Sequence, residues 1–204
     1  MAERKNKRKE TLEALIKQQV FEAAERICEA HSPGDLTIEV IARETGIAMG
    51  TLYRYFRNRA DMIAYIVLKS LEPVENETEQ IANSDMSTKE KLRAYIKCNL
   101  RVNDTKKELL NLLYKTSSAA AMAPIKEVEE ARKRSGKRLM GIMEEGISRG
   151  VLREVPVTNL MLTFAGIFQA FSGYRLINQL DSPVEEDVKN IMDMFMAGAG
   201  AKKP

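Results

Sequence analysis

Between Tyr53 and Arg59 the chain reads YRYFRNR, two tyrosines and three arginines in seven positions. Phenol hydroxyls and guanidinium groups are hydrogen-bond donors suited to anionic oxygens. Leu52 and Phe56 stand four apart, a spacing that lets them share one buried helical face. Tyr53, Arg54, Tyr55 and Arg57 then point elsewhere and form a polar surface that needs a partner. Groups for bond-breaking chemistry are scarce. The one histidine, His31, ends a predicted helix, where a cation complements the dipole. There is no second histidine for a metal pair, no glycine-rich phosphate loop and no Ser/His/Asp set. We expect no metal, no cofactor and no enzymatic activity.

The elements that position this surface are helical. The 204 residues suffice for one large domain or two small ones, with 44% hydrophobic and 30% charged residues, a globular balance. No apolar run approaches the ~20 residues of a membrane span. The start, MAERKNKRKE, lacks the apolar segment of a signal peptide. Cys28 and Cys98 have no CxxC spacing, and two free buried thiols in a reducing cytoplasm are expected. The net charge of +3 is small, but Arg4, Lys5, Lys7, Arg8 and Lys9 cluster in a basic arm.

Apolar spacing predicts a first helix over 10–31, with Leu12, Ile16, Val20, Ala24, Ile27 and Cys28 in one stripe. Thr37 caps a short second helix with Ile38, Ile41 and Ala42 inward. Gly46 ends it, and a third covers about 48–56. Arg59 begins a fourth, which Pro73 is expected to kink or stop. Ser87-x-x-Glu90, Thr105-x-x-Glu108 and Ser182-Pro-x-Glu185 fit the capping box, and the last puts proline at the first helical position. With Pro124 and Pro156 they predict five more helices, about 87–102, 105–121, 124–149, 156–180 and 183–198. The fold class is all-α, about nine helices.

Two short helices joined at a glycine, the second basic and aromatic, form a helix-turn-helix, whose second helix lies in the major groove of DNA. Tyr53 and Tyr55 then supply hydroxyls, and Gly50 permits close approach. Thr51 offers a methyl or a hydroxyl to a base edge, and Arg54 a fork for guanine. Arg59 opens the next helix, where its charge and backbone N–H groups can share a phosphate. Glu39 either accepts from cytosine or complements its helix dipole.

The stretch TIEVIARETGIAMGTLYRYFRNRADM resembles the DNA-binding signature of the TetR (tetracycline repressor) family. The match rests on Thr37, Ile41-Ala42, Gly46, Gly50-Thr51-Leu52-Tyr53, Tyr55-Phe56 and Asn58-Arg59. It departs at Ala48, where many members carry serine, so no contact is carried onto Ala48. The resemblance implies a homodimer on double-stranded DNA, with a C-terminal domain that binds a small molecule and releases the DNA. It also implies phosphate contacts at Thr37, Tyr53, Tyr55 and Arg59, with Met49, Gly50, Thr51 and Arg54 facing bases. The domains expected are 1–72 for DNA and 73–204 for ligand and dimerisation. The alternative is an architectural or partner-recruiting DNA-binding protein without a small-molecule ligand.

The predicted helix at 156–180 is apolar nearly all round, the mark of a helix covered on both sides. Gly166, Ala170, Gly173 and Ile177 on one face, with Val188, Ile191, Met192 and Phe195 of the last helix, suit a four-helix dimer interface. The opposite face, with Phe164, Phe168 and Arg175, points at Tyr95, Asn99, Tyr114, Met122 and Met143. This set is either a pocket for a largely apolar ligand or plain core. Arg175 either meets an anionic head group or pairs near the helix end with Asp181 or Glu185.

Overall fold

The computed structural model describes residues 2–30, 36–105, 126–178 and 183–201. Among these are eight helices: α1 (Ala2–Ala30), α2 (Ile38–Thr45), α3 (Met49–Leu52), α4 (Arg59–Ala82), α5 (Thr88–Thr105), α6 (Lys126–Ser148), α7 (Val157–Ile177) and α8 (Val184–Ala199). The helix expected over 105–121 lies, past Thr105, outside the described residues. The described residues fall into two compact units, 2–70 with 126–128 and 71–105 with 129–201.

The first unit is built on α1. Ile16, Val20, Phe21, Ala23, Ala24, Ile27 and Cys28 are buried. Leu12, expected in that stripe, is exposed, because burial of α1 begins only at Ile16. The helix also begins earlier than its apolar pattern, at Ala2. Ile38 and Ile41 of α2, Leu52 of α3, and Met62 and Ile66 of α4 complete the core. Phe56 packs on Tyr65 with ring centroids 5.6 Å apart, and Lys17 Nζ lies 5.7 Å from the Tyr65 centroid.

Pro73 does not stop α4, which runs on to Ala82. Proline removes one intrahelical N–H, yet Val74 and Ile81 beyond it are buried and anchor the following turns. In the second unit, Leu92, Ile96 and Leu100 of α5, Leu139, Ile142 and Met143 of α6, Phe164 of α7, and Ile191 and Phe195 of α8 form one cluster. The Ser87 capping box is formed: Glu90 N donates to Ser87 Oγ (3.4 Å) and Ser87 N to Glu90 Oε2 (2.8 Å). Pro156 and Pro183 stand one place before the first helical residue, as caps without side-chain bonds. Lys91 is buried, and its Nζ donates to Glu145 Oε2 (2.8 Å) and to the Ala82 carbonyl (3.2 Å). The Lys91 hydrogen bond holds the Glu145 carboxyl below its ordinary range.

The helix expected over 124–149 ends at Ser148. Gly150 adopts φ +67°, and the N–H groups of Val151 and Leu152 both donate to the Gly146 carbonyl. Leu152 then forms an isolated antiparallel bridge with Gly200. Leu152 folds back so closely that a Cβ on Gly146 would lie 2.6 Å from Thr88 Cγ2 and 2.8 Å from Leu152 Cδ1. Gly→Ala inside a helix normally stabilises by ~0.5–1 kcal/mol. Gly146→Ala should reverse that sign and destabilise by about 1–3 kcal/mol, the cost of overpacking. Urea unfolding checks this, and a variant more stable than the parent refutes the close packing.

Candidate nucleic-acid interface

The geometry of the helix-turn-helix starts at Thr37. Its Oγ1 accepts from Val40 N at 3.3 Å and caps α2. Gly46 ends α2 in the left-handed region, φ +69°, which a residue with a Cβ rarely adopts. Arg26 of α1 pairs with Glu44 of α2, Nε to Oε1 3.0 Å, an exposed pair across the two helices.

The recognition helix is shorter than its sequence suggests. Met49–Leu52 are α-helical, and the chain then tightens, with Arg54 N bonded to Thr51 O and Tyr55 N to Leu52 O. Leu52 and Phe56 are buried, as their spacing required. Met49, Gly50, Tyr53 and Arg54 are exposed, with Thr51 and Tyr55 half-buried. A Cβ on Gly50 would meet nothing within 4 Å, so this patch presents open backbone. Ala48 makes no side-chain cap bond.

Two arginines are more committed than expected. Arg57 binds Asp61 through its Nε (3.3 Å) and its backbone N (3.0 Å). The same hydrogen bonds hold the Asp61 carboxyl below its usual range. Arg59 is half-buried, and its Nε donates to the Leu36 carbonyl at 2.8 Å. It is thus a structural tie across the motif, whichever anion its remaining N–H groups meet. Asn58, quoted above only as part of the motif, has a structural role of its own. Its Oδ1 accepts from Asp61 N at 2.9 Å and caps α4. The Asn-x-x-Asp spacing was a readable signal for it.

These roles separate Arg54 from Arg59. Arg54→Ala should cost ~1–3 kcal/mol at one base pair per half-site and leave folding intact. Arg59→Ala should weaken binding to every sequence alike. It should also lower folding stability by about 1.5–3 kcal/mol, through the lost bond to Leu36. Binding profiles over a randomised DNA library, with thermal melts, check both. A uniform loss from Arg54→Ala would reverse the assignment.

Of the other expected site residues, those the structure describes lie in the second unit. Tyr95, Met143 and Phe164 are core, and Phe168 packs partly buried against them. Phe164 meets Phe195 edge-on at 5.2 Å. Tyr95 OH shares a hydrogen bond with Ser135 Oγ, and Asn99 Nδ2 donates to the Tyr95 carbonyl. Tyr114 and Met122 lie outside the described residues. Arg175 is 3% exposed, and its Nη1 pairs with Asp187 Oδ2 of α8 at 2.7 Å, a partner the sequence did not single out. Glu185 pairs with Lys97 instead, Nζ to Oε1 2.8 Å, and Asp181 lies outside the described residues.

The expected dimer residues divide in two. Val188, Ile191, Met192 and Phe195 are buried in the chain's own core, packed toward α5 and α7, and are not available to a second subunit. Gly166 and Ala170 are exposed and Gly173 is half-buried. With Leu162 (73% exposed), Tyr174 and Ile177 (63% each), they leave an apolar side of α7 uncovered.

Two family models match the chain. "Bacterial regulatory proteins, tetR family" matches residues 20–66, which hold the helix-turn-helix, and "Tetracyclin repressor-like, C-terminal domain" matches 85–172. The chain belongs to the TetR family. That family is one of bacterial regulatory proteins, and the helix-turn-helix lies within the matched residues 20–66. Among curated relatives, a helix-turn-helix transcriptional regulator of Staphylococcus aureus (strain bovine RF122 / ET3-1) is 27% identical over 97 residues, 48% of this chain and 52% of the relative. The chain spans about half the length of the curated relatives it matches. Three solved structures share the fold. A Rhodococcus sp. RHA1 protein of unknown function has TM-score 0.73 and 20% identity, covering 91% of this chain and 95% of that one. The fatty acid degradation regulator FadR of Bacillus halodurans has TM-score 0.72 and 17% identity, covering 89% and 98%. SmeT, the repressor of a Stenotrophomonas maltophilia multidrug efflux pump, has TM-score 0.70 and 18% identity, covering 91% of each. Among the described residues no TetR-type helix here is long and apolar enough to cross a membrane.

Proposed function

We propose that this TetR-family chain is a cytoplasmic, ligand-responsive repressor. It binds a pseudo-palindromic operator as a homodimer, and a small, largely apolar effector releases it. Residues 1–72 bind DNA, and 73–204 dimerise and hold the effector. The observation that carries the reading is the exposed face of Met49, Gly50, Tyr53 and Arg54, held between a capped α2 and a capped α4. Thr37, Thr51, Tyr55 and Arg59 flank it. The uncovered apolar side of α7 supports dimerisation through α7, with Met194 of α8 as the exposed neighbour, in place of the buried residues of α8.

A second reading, a dimeric architectural or partner-recruiting protein, has one observation in its favour. Tyr95, Met143 and Phe164, expected to line a pocket, are packed as core among the described residues. Selection of bound DNA from a random pool, followed by a small-molecule release screen, separates the two. Half-sites about one helical turn, ~34–36 Å, apart are expected. With roughly 6–10 phosphate contacts, affinity should fall ~10³–10⁵-fold between 50 and 200 mM salt. A flat salt dependence counts against DNA binding. Operator binding that no compound relieves favours the architectural reading.

A further inference from the structure

The helix-turn-helix segment 36–61 contains three carboxylates, Glu39, Glu44 and Asp61. Two are neutralised: Glu44 by Arg26 at 3.0 Å, and Asp61 by Arg57 at 3.3 Å. Glu39 differs. It sits exposed in the first turn of α2, and its partners are its own backbone N–H and the Thr37 hydroxyl. Arg43, one turn further along α2, forms no ion pair with it among the described residues. The first helix of such a motif crosses the DNA backbone while the second enters the groove. Ile38 and Ile41 fix the inner side of α2, so Glu39 lies on its outer side.

We infer that Glu39 is an electrostatic brake on DNA affinity, the one uncompensated negative charge that the helix-turn-helix brings to the phosphate backbone. This rests on the DNA-binding reading above. Two features support a brake over a base contact. The carboxylate engages the Thr37 hydroxyl and its own backbone N–H in the first turn of α2. Those same bonds hold its carboxyl below the ordinary range, so it stays charged wherever the protein binds DNA. A dimer presents two such charges. Their repulsion by a phosphate several Å away in high dielectric lowers affinity without regard to sequence.

The test uses the full chain, the selected operator duplex and a random-sequence duplex of equal length, at two salt concentrations. Glu39→Gln should bind both duplexes ~3–10-fold more tightly. Glu39→Asp, which keeps the charge, should bind as the parent does. Glu39→Lys should bind tighter still, with a salt slope steeper by about one per protomer. Weaker operator binding by Glu39→Gln, with relaxed preference at one base pair, would overturn the brake in favour of cytosine recognition. Unchanged affinity with a lower melting temperature would overturn it in favour of a dipole role only. If the parent chain binds neither duplex, the DNA-binding reading fails first, and the brake fails with it.

Discussion

For the proposed homodimer, Gly173→Arg should yield monomers, with operator affinity down ~10²–10⁴-fold, the loss expected when two linked half-site contacts become one. The chain itself tolerates the change. A Cβ at Gly173 or Gly166 meets nothing within 4 Å, so a side chain at either position starts into open space in a single subunit. Helix propensity also favours arginine over glycine. The casualty expected is the proposed surface against another copy, where a buried unpaired guanidinium is costly. Gly136→Arg is the control, since Gly136 of α6 also faces open space but lies outside that surface. Sedimentation velocity reads the outcome. A Gly173→Arg dimer indistinguishable from the parent would place the interface elsewhere.

The second large effect concerns the α7–α8 pair. Arg175 is buried and bonded to Asp187 at 2.7 Å. Arg175→Ala should cost about 3–5 kcal/mol of folding stability, because it leaves a partly buried carboxylate without its buried partner. Replacing both partners together, Arg175→Met with Asp187→Leu, should recover most of that loss. Guanidinium unfolding of the two variants decides between a buried pair and a solvated one. A loss below ~1 kcal/mol for Arg175→Ala would mean that the pair is screened as surface pairs are.

The parts of the fold that sequence revealed are those governed by neighbours in the chain. Thr37, Gly46 and the Ser87–Glu90 pair each satisfy backbone groups within four residues, and each is formed. What stayed hidden depended on residues far apart. Arg59 reaches Leu36, 23 positions away, and no local pattern names that carbonyl. Apolar spacing identified the face of α8 that carries Val188, Ile191 and Phe195, but periodicity does not say which helix covers it. The answer is α5 and α7 of the same chain. Pro73 misled because propensity weighs one lost hydrogen bond against no tertiary anchoring.

Residues that hold the helix-turn-helix in shape and residues that face outward from it are different sets. Leu52, Phe56, Gly46, Asn58 and the Arg59–Leu36 tie carry the geometry. Met49, Gly50, Tyr53 and Arg54 project from it into solvent. Mutational drift at the second set therefore proceeds at little cost to folding. Duplicated copies of such a gene can diverge in the operators they recognise while the supporting framework stays fixed. The motif is in that sense an evolvable cassette: its address changes without redesign of the device that carries it.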